Sequence, residues 1–396
     1  ASAGRAGTAY VNNYTGNLVW VRDDIGFSGN RMPVSISHIY NANDRIDINT
    51  EANNADANSG NTFGLGYGWR TNYNQLVYRW SEDSNYYVWE DADGTDHYFY
   101  YESTGTYKDE DGLELTLTTT GSSSQKYKIV DKYGNASYFD SPGRLTKIEN
   151  YQEETSSINI TYINSYEKKI STITDGAGRA YNFIYTDDLL TRISYVGKTT
   201  EEISYISYGY EGGQLTEITN KDGKSTVYTY DTSHRLMSAQ DIDGYKLLFQ
   251  YTTTTAGQPS RISQVAEKAG NLDGGVLNFA YANNQTAITD HNGNTNIFQF
   301  NNWGNTVSVQ DSEGRAQYAQ YALGDATQTE NTDVTKKGNQ LRVVSNLQNT
   351  AGNRLKDAGF EEGTLWTVAG NASQSIASGV SYLGNRSLKV VSAASE

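Results

Sequence analysis

Four histidines are the first residues in this chain whose type points to chemistry. They are His38, His97, His234 and His291, and they lie in separate parts of the sequence. None has partners at the spacing that holds a metal ion, and the chain contains no Gly-x-Ser-x-Gly, His-Glu-x-x-His or phosphate-binding glycine loop. We therefore expect each histidine to be a strand or turn residue.

Two acidic segments offer carboxylates of the kind that Ca²⁺ prefers, Asp91 to Gly94 and Asp109 to Gly112. They lack the spaced ligands and final Glu of a calcium loop, and each coincides with a repeated turn, so the turn interpretation is favoured. None of the 46 acidic residues stands outside the turn pattern as a candidate for glycoside hydrolysis. The sequence predicts no catalytic, cofactor-binding or metal-binding residue, no cofactor, and a protein that is not an enzyme.

The turns that hold these carboxylates recur along the chain. Each begins with Asp or Asn, which bonds its own backbone, and ends three residues later with Gly, which accepts a positive φ. Their spacing is close to one or two units of about 22 residues, a period typical of repeat proteins. The turns begin at Asp91, Asp109, Asp131, Asp175, Asn220, Asp241, Asp290 and Asp311.

Strands with alternating large residues flank these turns. Large residues fall on every second position in Thr226–Tyr230 and Tyr245–Tyr251, which is the period of a strand; they are Tyr228 and Tyr230, then Tyr245, Leu247, Phe249 and Tyr251. A second half-unit carries Tyr, a turn and then Leu-x-x-Ile, as in Tyr210 to Ile218. Residues three apart face opposite ways in a flat strand, so this spacing requires either a β-bulge or apolar contacts on both faces.

Composition supports an all-β protein. The chain of 396 residues has 32 Tyr, 38 Gly, 3 Pro and no Cys, and it shows no long helical periodicity. Its formal charge of -15 provides no basic stripe for nucleic acid. No segment approaches the roughly 20 apolar residues needed to span a bilayer.

The pattern divides the chain into four parts. We expect an N-terminal β entry region (1–72), a β-hairpin array (73–324), a linker with one apolar strand (325–357) and a partial β module (358–396). Within the entry region, Phe63 to Arg70 has Gly at every second position, which requires backbone freedom or close approach of another segment. Trp69 is the expected core anchor beside it.

The repeated motifs resemble those of the YD-repeat (RHS-repeat) family. Tyr138 to Leu145, Tyr-Phe-Asp-Ser-Pro-Gly-Arg-Leu, is the closest copy, and the segments 63–70 and 89–98 look like the entry region of the family. The resemblance covers roughly residues 10–324. The family includes bacterial wall-associated and polymorphic-toxin proteins, Tc toxin shell subunits and, more distantly, the teneurins.

The resemblance implies a spiral sheet of β-hairpins that forms part of a hollow shell, with Tyr and Leu/Ile on one face and the turns along the edges. It also implies an extracellular or cell-surface location. The chain departs from the family in length, because its array is much shorter. It also has no Asp-Pro pair, so the self-cleaving core of many bacterial members is not carried over.

Three functions follow as hypotheses. The first is a non-enzymatic, extracellular shell or scaffold segment, whose partners are neighbouring domains or copies of the same chain. The second is a self-assembling surface filament, because open sheet edges invite strand addition. The third is a carbohydrate-binding adhesin that contacts surface glycans through Trp366 and exposed tyrosines, since residues 359–391 look like the start of a carbohydrate-binding β-sandwich; a buried core Trp is the commoner use of such a residue.

Overall fold

The structure is a computed structural model of the 396-residue chain. Contacts divide it into two units, Ala1–Phe279 and Ala280–Glu396. The structure describes residues 1–29, 31–43, 63–152, 156–197, 201–252, 260–322, 336–348, 372–378 and 386–392. Statements below about absent features refer to these residues.

Unit 1 begins with a short 3-10 helix, Gly4–Ala6, and a four-stranded antiparallel sheet that we call the N-terminal sheet. Its strand order follows the chain, and the strands Leu18–Gly26 and Ser35–Asn41 are its central pair. Alternating apolar residues such as Leu18 and Trp20 are fully buried, as period two requires. The strands are β1 (Thr8–Val11), β2 (Leu18–Gly26), β3 (Ser35–Asn41) and β4 (Trp69–Thr71).

The glycine-rich segment before β4 shows both features that its spacing predicts. Gly64, Gly66 and Gly68 have φ values of 77, 86 and 75°, which is the left-handed region that favours glycine. A side chain at Gly66 would lie 2.8 Å from the carbonyl of Gly213, so the repeat array also approaches closely. Trp69 is 3% exposed and is the core anchor that the sequence indicates.

The repeat array follows as sequential antiparallel strands, each paired with its neighbours in the chain. The prediction of an all-β hairpin array is therefore confirmed. In unit 1 its strands are β5 (Leu76–Arg79), β6 (Tyr86–Glu90), β7 (Asp96–Ser103), β8 (Thr106–Asp109), β9 (Thr116–Thr119), β10 (Tyr127–Val130), β11 (Ala136–Phe139), β12 (Leu145–Glu149), β13 (Ser157–Tyr162), β14 (Ile170–Thr174), β15 (Ala180–Thr186), β16 (Leu189–Val196), β17 (Glu202–Glu211), β18 (Gln214–Asn220), β19 (Ser225–Tyr230), β20 (Leu236–Gln240), β21 (Tyr245–Tyr251), β22 (Ile262–Ala269) and β23 (Leu272–Ala282), the last of which contains the boundary between the units.

The turns that begin at Asp91, Asp131, Asp175, Asn220 and Asp241 share one hydrogen-bonded arrangement. In the turn at Asp175, the first residue accepts Gly178 N–H on its backbone carbonyl, at 3.0 Å, and Gly178 has φ 84°. The Asp175 Oδ1 accepts the N–H groups of Ala177 and Arg179, both at 2.9 Å, and its Oδ2 accepts Arg179 Nε. The side chain therefore satisfies the turn's own backbone donors, which explains both the Asp and the Arg of the motif.

A β-bulge resolves the Leu-x-x-Ile spacing. Tyr185 pairs with Leu190 while the preceding residue, Ile184, pairs with Arg192, so one residue of β16 is skipped. Leu190 and Ile193 are then both fully buried on the same face. The same register shift recurs at the corresponding Tyr or Phe of the other copies, at residues 138/139, 161/162, 209/210, 229/230, 250/251 and 299/300.

The array turns back on itself at its eighth strand. Val77 of β5 donates its N–H to the Gly143 carbonyl at 2.7 Å, and Leu145 of β12 donates its N–H to the Gln75 carbonyl at 3.2 Å. These bonds join the first strand of the array to the start of β12, so β5–β12 complete one turn of a curved sheet. The spiral arrangement expected from the resemblance is present in unit 1.

Unit 2 contains two sheets among its described residues. The first is an antiparallel series with the same bulges, and it extends past residue 324 because β28 pairs with β27. The second is a hairpin within the predicted C-terminal module. The strands are β24 (Gln285–Asp290), β25 (Thr295–Phe300), β26 (Thr306–Gln310), β27 (Arg315–Tyr321) and β28 (Gln340–Gln348), then β29 (Ala372–Ser378) and β30 (Arg386–Ser392). The predicted domain boundaries stay predictions, and within the described ranges we find no helix long and apolar enough to cross a membrane.

Candidate functional site: the docked N-terminal sheet

In each bulge, the first residue of the Leu-x-x-Ile motif, such as Leu190, has its backbone N–H and C=O outside the regular ladder. We call it the bulge residue. The carbonyl accepts a hydrogen bond from the Tyr hydroxyl of a neighbouring repeat unit: Tyr185 to Ile170 at 2.9 Å, and Tyr210 to Leu190 at 2.7 Å. We call this series the tyrosine ladder. Its other donor–acceptor pairs are Tyr162 with Leu145, Tyr230 with Leu215, and Tyr251 with Leu236.

The N–H groups of the bulge residues face the N-terminal segment. Leu190 N–H donates to the Gly64 carbonyl at 2.6 Å, and Ile262 N–H donates to the Gly16 carbonyl at 2.9 Å. Leu236 N–H donates to the Tyr40 hydroxyl at 3.2 Å. The bulge thus does two tasks: it orients the repeat's apolar residues to one face, and it exposes amides that bind the N-terminal segment.

A buried polar cluster lies where the N-terminal sheet meets the array. We define it as Arg22, Asp24 and His38 of the sheet with Tyr208 and Tyr228 of the array. Asp24 Oδ1 lies 2.6 Å from both Arg22 Nη1 and His38 Nδ1, and its Oδ2 accepts the Tyr208 hydroxyl at 2.5 Å. His38 Nε2 lies 2.8 Å from the Tyr228 hydroxyl. The side chains of Asp24 and His38 are both 0% exposed.

The protonation states of the cluster follow from its geometry. Burial opposes the charge on Asp24, but the attraction and hydrogen bond of His38, with Arg22 and Tyr208, hold the pKa of Asp24 below its ordinary value. Burial lowers the pKa of His38 despite Asp24, so its ring is neutral near pH 7. An ionised Asp24 accepts only, which makes His38 Nδ1 the donor and leaves Nε2 to accept from the Tyr228 hydroxyl.

The Asp24–His38–Tyr228 order is that of a carboxylate, an imidazole and a hydroxyl in a nucleophilic relay. Burial, however, raises the pKa of the Tyr228 phenol, and that side chain is closed off beneath the N-terminal sheet. The rings of His38 and Tyr228 are packed edge to face, 5.8 Å apart, and Trp69 contacts both. The arrangement suits a hydrogen-bonded anchor between two sheets better than an attack on a substrate.

An open cleft of about 380 Å³ adjoins the cluster on the side of the N-terminal sheet. Asp24 reaches its wall, but both oxygens of that carboxylate are engaged by Arg22, His38 and Tyr208. Asp23 also accepts the Ser37 hydroxyl at 2.6 Å. The cleft is lined by Asp23, Asp24, Ile25, Gly26, Phe27, Ser28, Pro33, Val34 and Ser35.

His97, on β7, belongs to a second group of charged side chains, together with Asp91 and Asp111. Its Nδ1 lies 2.9 Å from Asp111 and its Nε2 lies 3.3 Å from Asp91, within the two turns that resemble calcium loops. Although burial opposes protonation, the hydrogen bonds that His97 donates to these two carboxylates raise its pKa to about 9. The Asp91 Oδ1 accepts backbone N–H groups of its own turn, including that of Asp93 at 2.9 Å. The carboxylates therefore bind the turn and a cationic His97, as the turn interpretation expects.

The remaining candidates fall as follows. His234 takes the Gly position of the Asp231 turn, with φ 61°, and its ring lies 4.5 Å from Tyr67. His291 is exposed in the Asp290 turn. No group of three potential metal ligands forms within the described ranges. Trp366, the possible carbohydrate-binding residue, lies outside the described residues.

Sequence reasoning missed the buried cluster. His38 was expected only as a strand residue, which it is, and Asp24 was not singled out. The available signal was the charged run Arg22 to Asp24 inside an otherwise apolar strand, opposite a His within another apolar strand. A charge at such a position requires a partner, although the sequence does not name Tyr208 or Tyr228 as that partner.

Comparison with known families identifies the repeat. Residues 211–246, which begin directly after the bulge at Tyr210 and include the Asn220 turn, match the model of the RHS repeat. Residues 211–246 of this chain are similar to an RHS repeat. The match covers β18, β19 and β20 together with the turns between them, so the RHS unit corresponds to the turn-and-bulge arrangement described above.

Several solved structures show distant similarity to this RHS-repeat chain. The structure titled TcdB2-TccC3-Cdc42 has 11% identity and a TM-score of 0.29, covering 78% of this chain and 19% of that one. TcdB2-TccC3 without its hypervariable C-terminal region has 11% identity and a TM-score of 0.22, covering 77% and 18%. A porin-like protein from Bacteroides uniformis has 10% identity and a TM-score of 0.25, covering 70% and 93%. At such TM-scores these likenesses define neither fold nor function, and no curated protein matches.

Proposed function

We propose that this chain is a structural, non-enzymatic segment of an extracellular RHS-repeat shell or scaffold. The observation that carries the proposal is which partners the repeated polar groups of the array bind. The tyrosine-ladder hydroxyls bond to neighbouring units, and the bulge amides of Leu190, Leu236 and Ile262 bond to the N-terminal segment. The repeated chemistry therefore holds sheets together.

The same contacts give the N-terminal sheet a role in this scaffold. It covers the apolar face of the array from β14 to β22, and Trp20 and Trp69 lie within the shared core. In the proposed shell, the N-terminal sheet closes the spiral beside the strands that it covers. Any enclosed space lies outside the contacts described in unit 1. Secretion to the cell surface belongs to the same proposal.

The test measures three properties of the protein in its native source: its mass, its location in the cell and the resistance of unit 1 to trypsin. Cells are fractionated, the chain is detected with an antibody to unit 1, and the fractions are treated with trypsin. A surface-located product larger than 43.8 kDa, with unit 1 protected until it is unfolded, supports the scaffold. A cytosolic protein with hydrolytic turnover that is lost in folded Tyr228→Phe would overturn it. The filament and adhesin hypotheses stay predictions.

A further inference from the structure

A group of aromatic side chains lies on the face of β5–β7 that points away from the core. Cross-strand pairing puts Tyr78 opposite Val88 and Val88 opposite Tyr98, and it puts Tyr86 opposite Tyr100. The alternate residues of these strands, such as Phe99, belong to the core cluster, so the aromatic group occupies the opposite face. We call the group the aromatic face; its members are Tyr78, Trp80, Tyr86, Tyr98 and Tyr100.

The rings pack on one another and remain accessible. Trp80 lies 5.5 Å from Tyr86 and 5.4 Å from Tyr98, both edge to face, and Tyr86 lies 5.1 Å from Tyr100. Beneath them Val88 is 1% exposed, whereas Tyr78 is 39% exposed and the other rings are half-buried. Such a platform presents ring faces to solvent at low cost in side-chain entropy.

Carboxylates border this platform. Glu90 pairs with Asp96 across β6 and β7, and the Tyr78 hydroxyl lies 3.3 Å from Asp96. Burial together with Asp96 and Glu90 raises the pKa of Tyr78, and burial with a hydrogen bond to Glu110 raises the pKa of Tyr86. Asp96 is exposed beside the rings, and a carboxylate in that position favours a cation over an anion.

The cations near this face have partners other than the aromatic rings. Arg70 pairs with Glu90, and Lys108 donates to Thr116 Oγ1 at 2.9 Å. Arg79 donates to the Ser84 carbonyl at 2.7 Å. Within the part of the chain that the structure describes, no Lys or Arg is stacked over the ring of Trp80 or Tyr86.

Elsewhere in the array, where an aromatic ring lies near a carboxylate, a Lys or Arg of the array stacks on that ring. Arg192 stacks over the Tyr205 ring, 3.6 Å from its centroid, and pairs with Glu202. Lys147 lies over Tyr138, 5.5 Å from the centroid. The aromatic face has the same ring and carboxylate chemistry on a larger scale, without the stacked cation over Trp80 or Tyr86.

We propose that the aromatic face is a docking site for a Lys- or Arg-rich polypeptide segment. Guanidinium or ammonium groups stack on the rings of Trp80 and Tyr86 and pair with the bordering carboxylates. A neutral saccharide also stacks on aromatic rings and donates hydroxyls to carboxylates, but it carries no positive charge to complement them. The occupant is therefore a cationic polypeptide rather than a glycan.

The experiment titrates the full chain with an acetylated and amidated peptide of alternating Gly and Arg, and with its citrulline analogue, by calorimetry at low and high salt. Binding of the arginine peptide is expected to fall at least tenfold in Trp80→Ala, which leaves the net charge at -15. Asp96→Asn is expected to lower the affinity for the arginine peptide and to make that affinity less dependent on salt concentration. Tyr166→Ala, a control at a tyrosine that is 87% exposed, is expected to bind as the wild type does.

Folding is checked by circular dichroism and thermal unfolding. If Trp80→Ala is destabilised, Tyr78→Ala replaces it, because that ring is more exposed. Equal affinity of the wild type and both aromatic variants would show that only overall charge attracts the peptide, and would overturn the proposal. Equal affinity for the citrulline peptide, or binding of chitohexaose at Trp80 without binding of the arginine peptide, would overturn it as well.

Discussion

At the scale of single residues, the buried polar cluster makes the stability of the protein depend on pH. His38 is neutral and buried, with a pKa below 6.5, and it joins Asp24 to Tyr228. Neutral His38 accepts from Tyr228 and donates to Asp24. Protonation removes its acceptor and adds a charge in a buried position.

Acid is therefore expected to destabilise the wild type through His38. Since the pKa is lower in the folded than in the unfolded state, the contribution is complete above about 6.5 and is lost as pH falls through the folded pKa, by at most about 1.4 kcal/mol per pH unit. Urea unfolding of the wild type and His38→Gln between pH 7.5 and 5 measures it. The variant is expected to lose the part of the slope that His38 contributes.

An unchanged slope in His38→Gln would contradict the assignment. His97 is a built-in contrast, because its pKa of about 9 is raised. Its stabilising contribution is complete below about 6.5 and is lost as pH rises through 9, so the two histidines act in separate windows.

At the scale of the structural element, the tyrosine ladder joins each unit to the next. Replacing Tyr210 by Phe removes a hydroxyl that donates to the Leu190 carbonyl and leaves that buried acceptor without its donor. The free energy of unfolding is expected to fall by about 1–3 kcal/mol. Chemical denaturation measures it, with Tyr166→Phe as the exposed control expected to be neutral. Equal stability of both variants would show that the ladder does not stabilise the array.

The junction of β5 and β12 depends on one glycine. A Cβ at Gly143 would overlap the Val77 carbonyl, whereas a Cβ at Gly178 meets no atom within 4 Å; the φ values are similar, 89 and 84°. Gly178→Ala is expected to cost about 1–2 kcal/mol for its left-handed backbone. Gly143→Ala is expected to cost about 1–3 kcal/mol more, because the overlap forces the strands apart. Denaturation of both variants separates strain from steric overlap, and equal costs would argue against the junction.

At the scale of the whole molecule, the cluster determines whether the N-terminal sheet stays on the array. Asp24→Ala leaves Arg22 and its partners without their common acceptor, and breaking a buried pair costs about 3–5 kcal/mol. Hydrogen exchange is expected to speed up at the amides of Leu190, Leu236 and Ile262, which bind the N-terminal segment.

The neighbouring exposed residue provides the matched control for this experiment. Asp23→Ala removes the exposed carboxylate that accepts the Ser37 hydroxyl, leaves the hydrogen bonds of the cluster in place, and is expected to leave those amides protected. If Asp24→Ala changes stability without changing exchange at the three amides, the sheet and the array are not coupled through the cluster.

The sequence by itself determined the all-β class, the Asp-x-x-Gly turns and the alternation of large residues along the strands. These depend on interactions within a few positions: Asp175 caps its own turn, and alternation along Thr226–Tyr230 fixes the buried side. The spacing of Leu190 and Ile193 left two ways to bury both side chains: a β-bulge, or apolar contacts on both faces of the strand. Nothing local decided between them, because the bulge is stabilised by the hydroxyl of Tyr210 on the next strand.

Only the tertiary structure decided what the array binds. His38 and Tyr228 are separated by 190 positions, and no periodicity relates two residues that meet because one sheet docks on another. The aromatic face is a similar case: Trp80, Tyr86 and Tyr98 are ordinary strand aromatics in sequence, and pairing of β5, β6 and β7 makes them one surface. Local chemistry sets the repeat, while partner choice depends on long-range packing that a single sequence does not encode in its spacing.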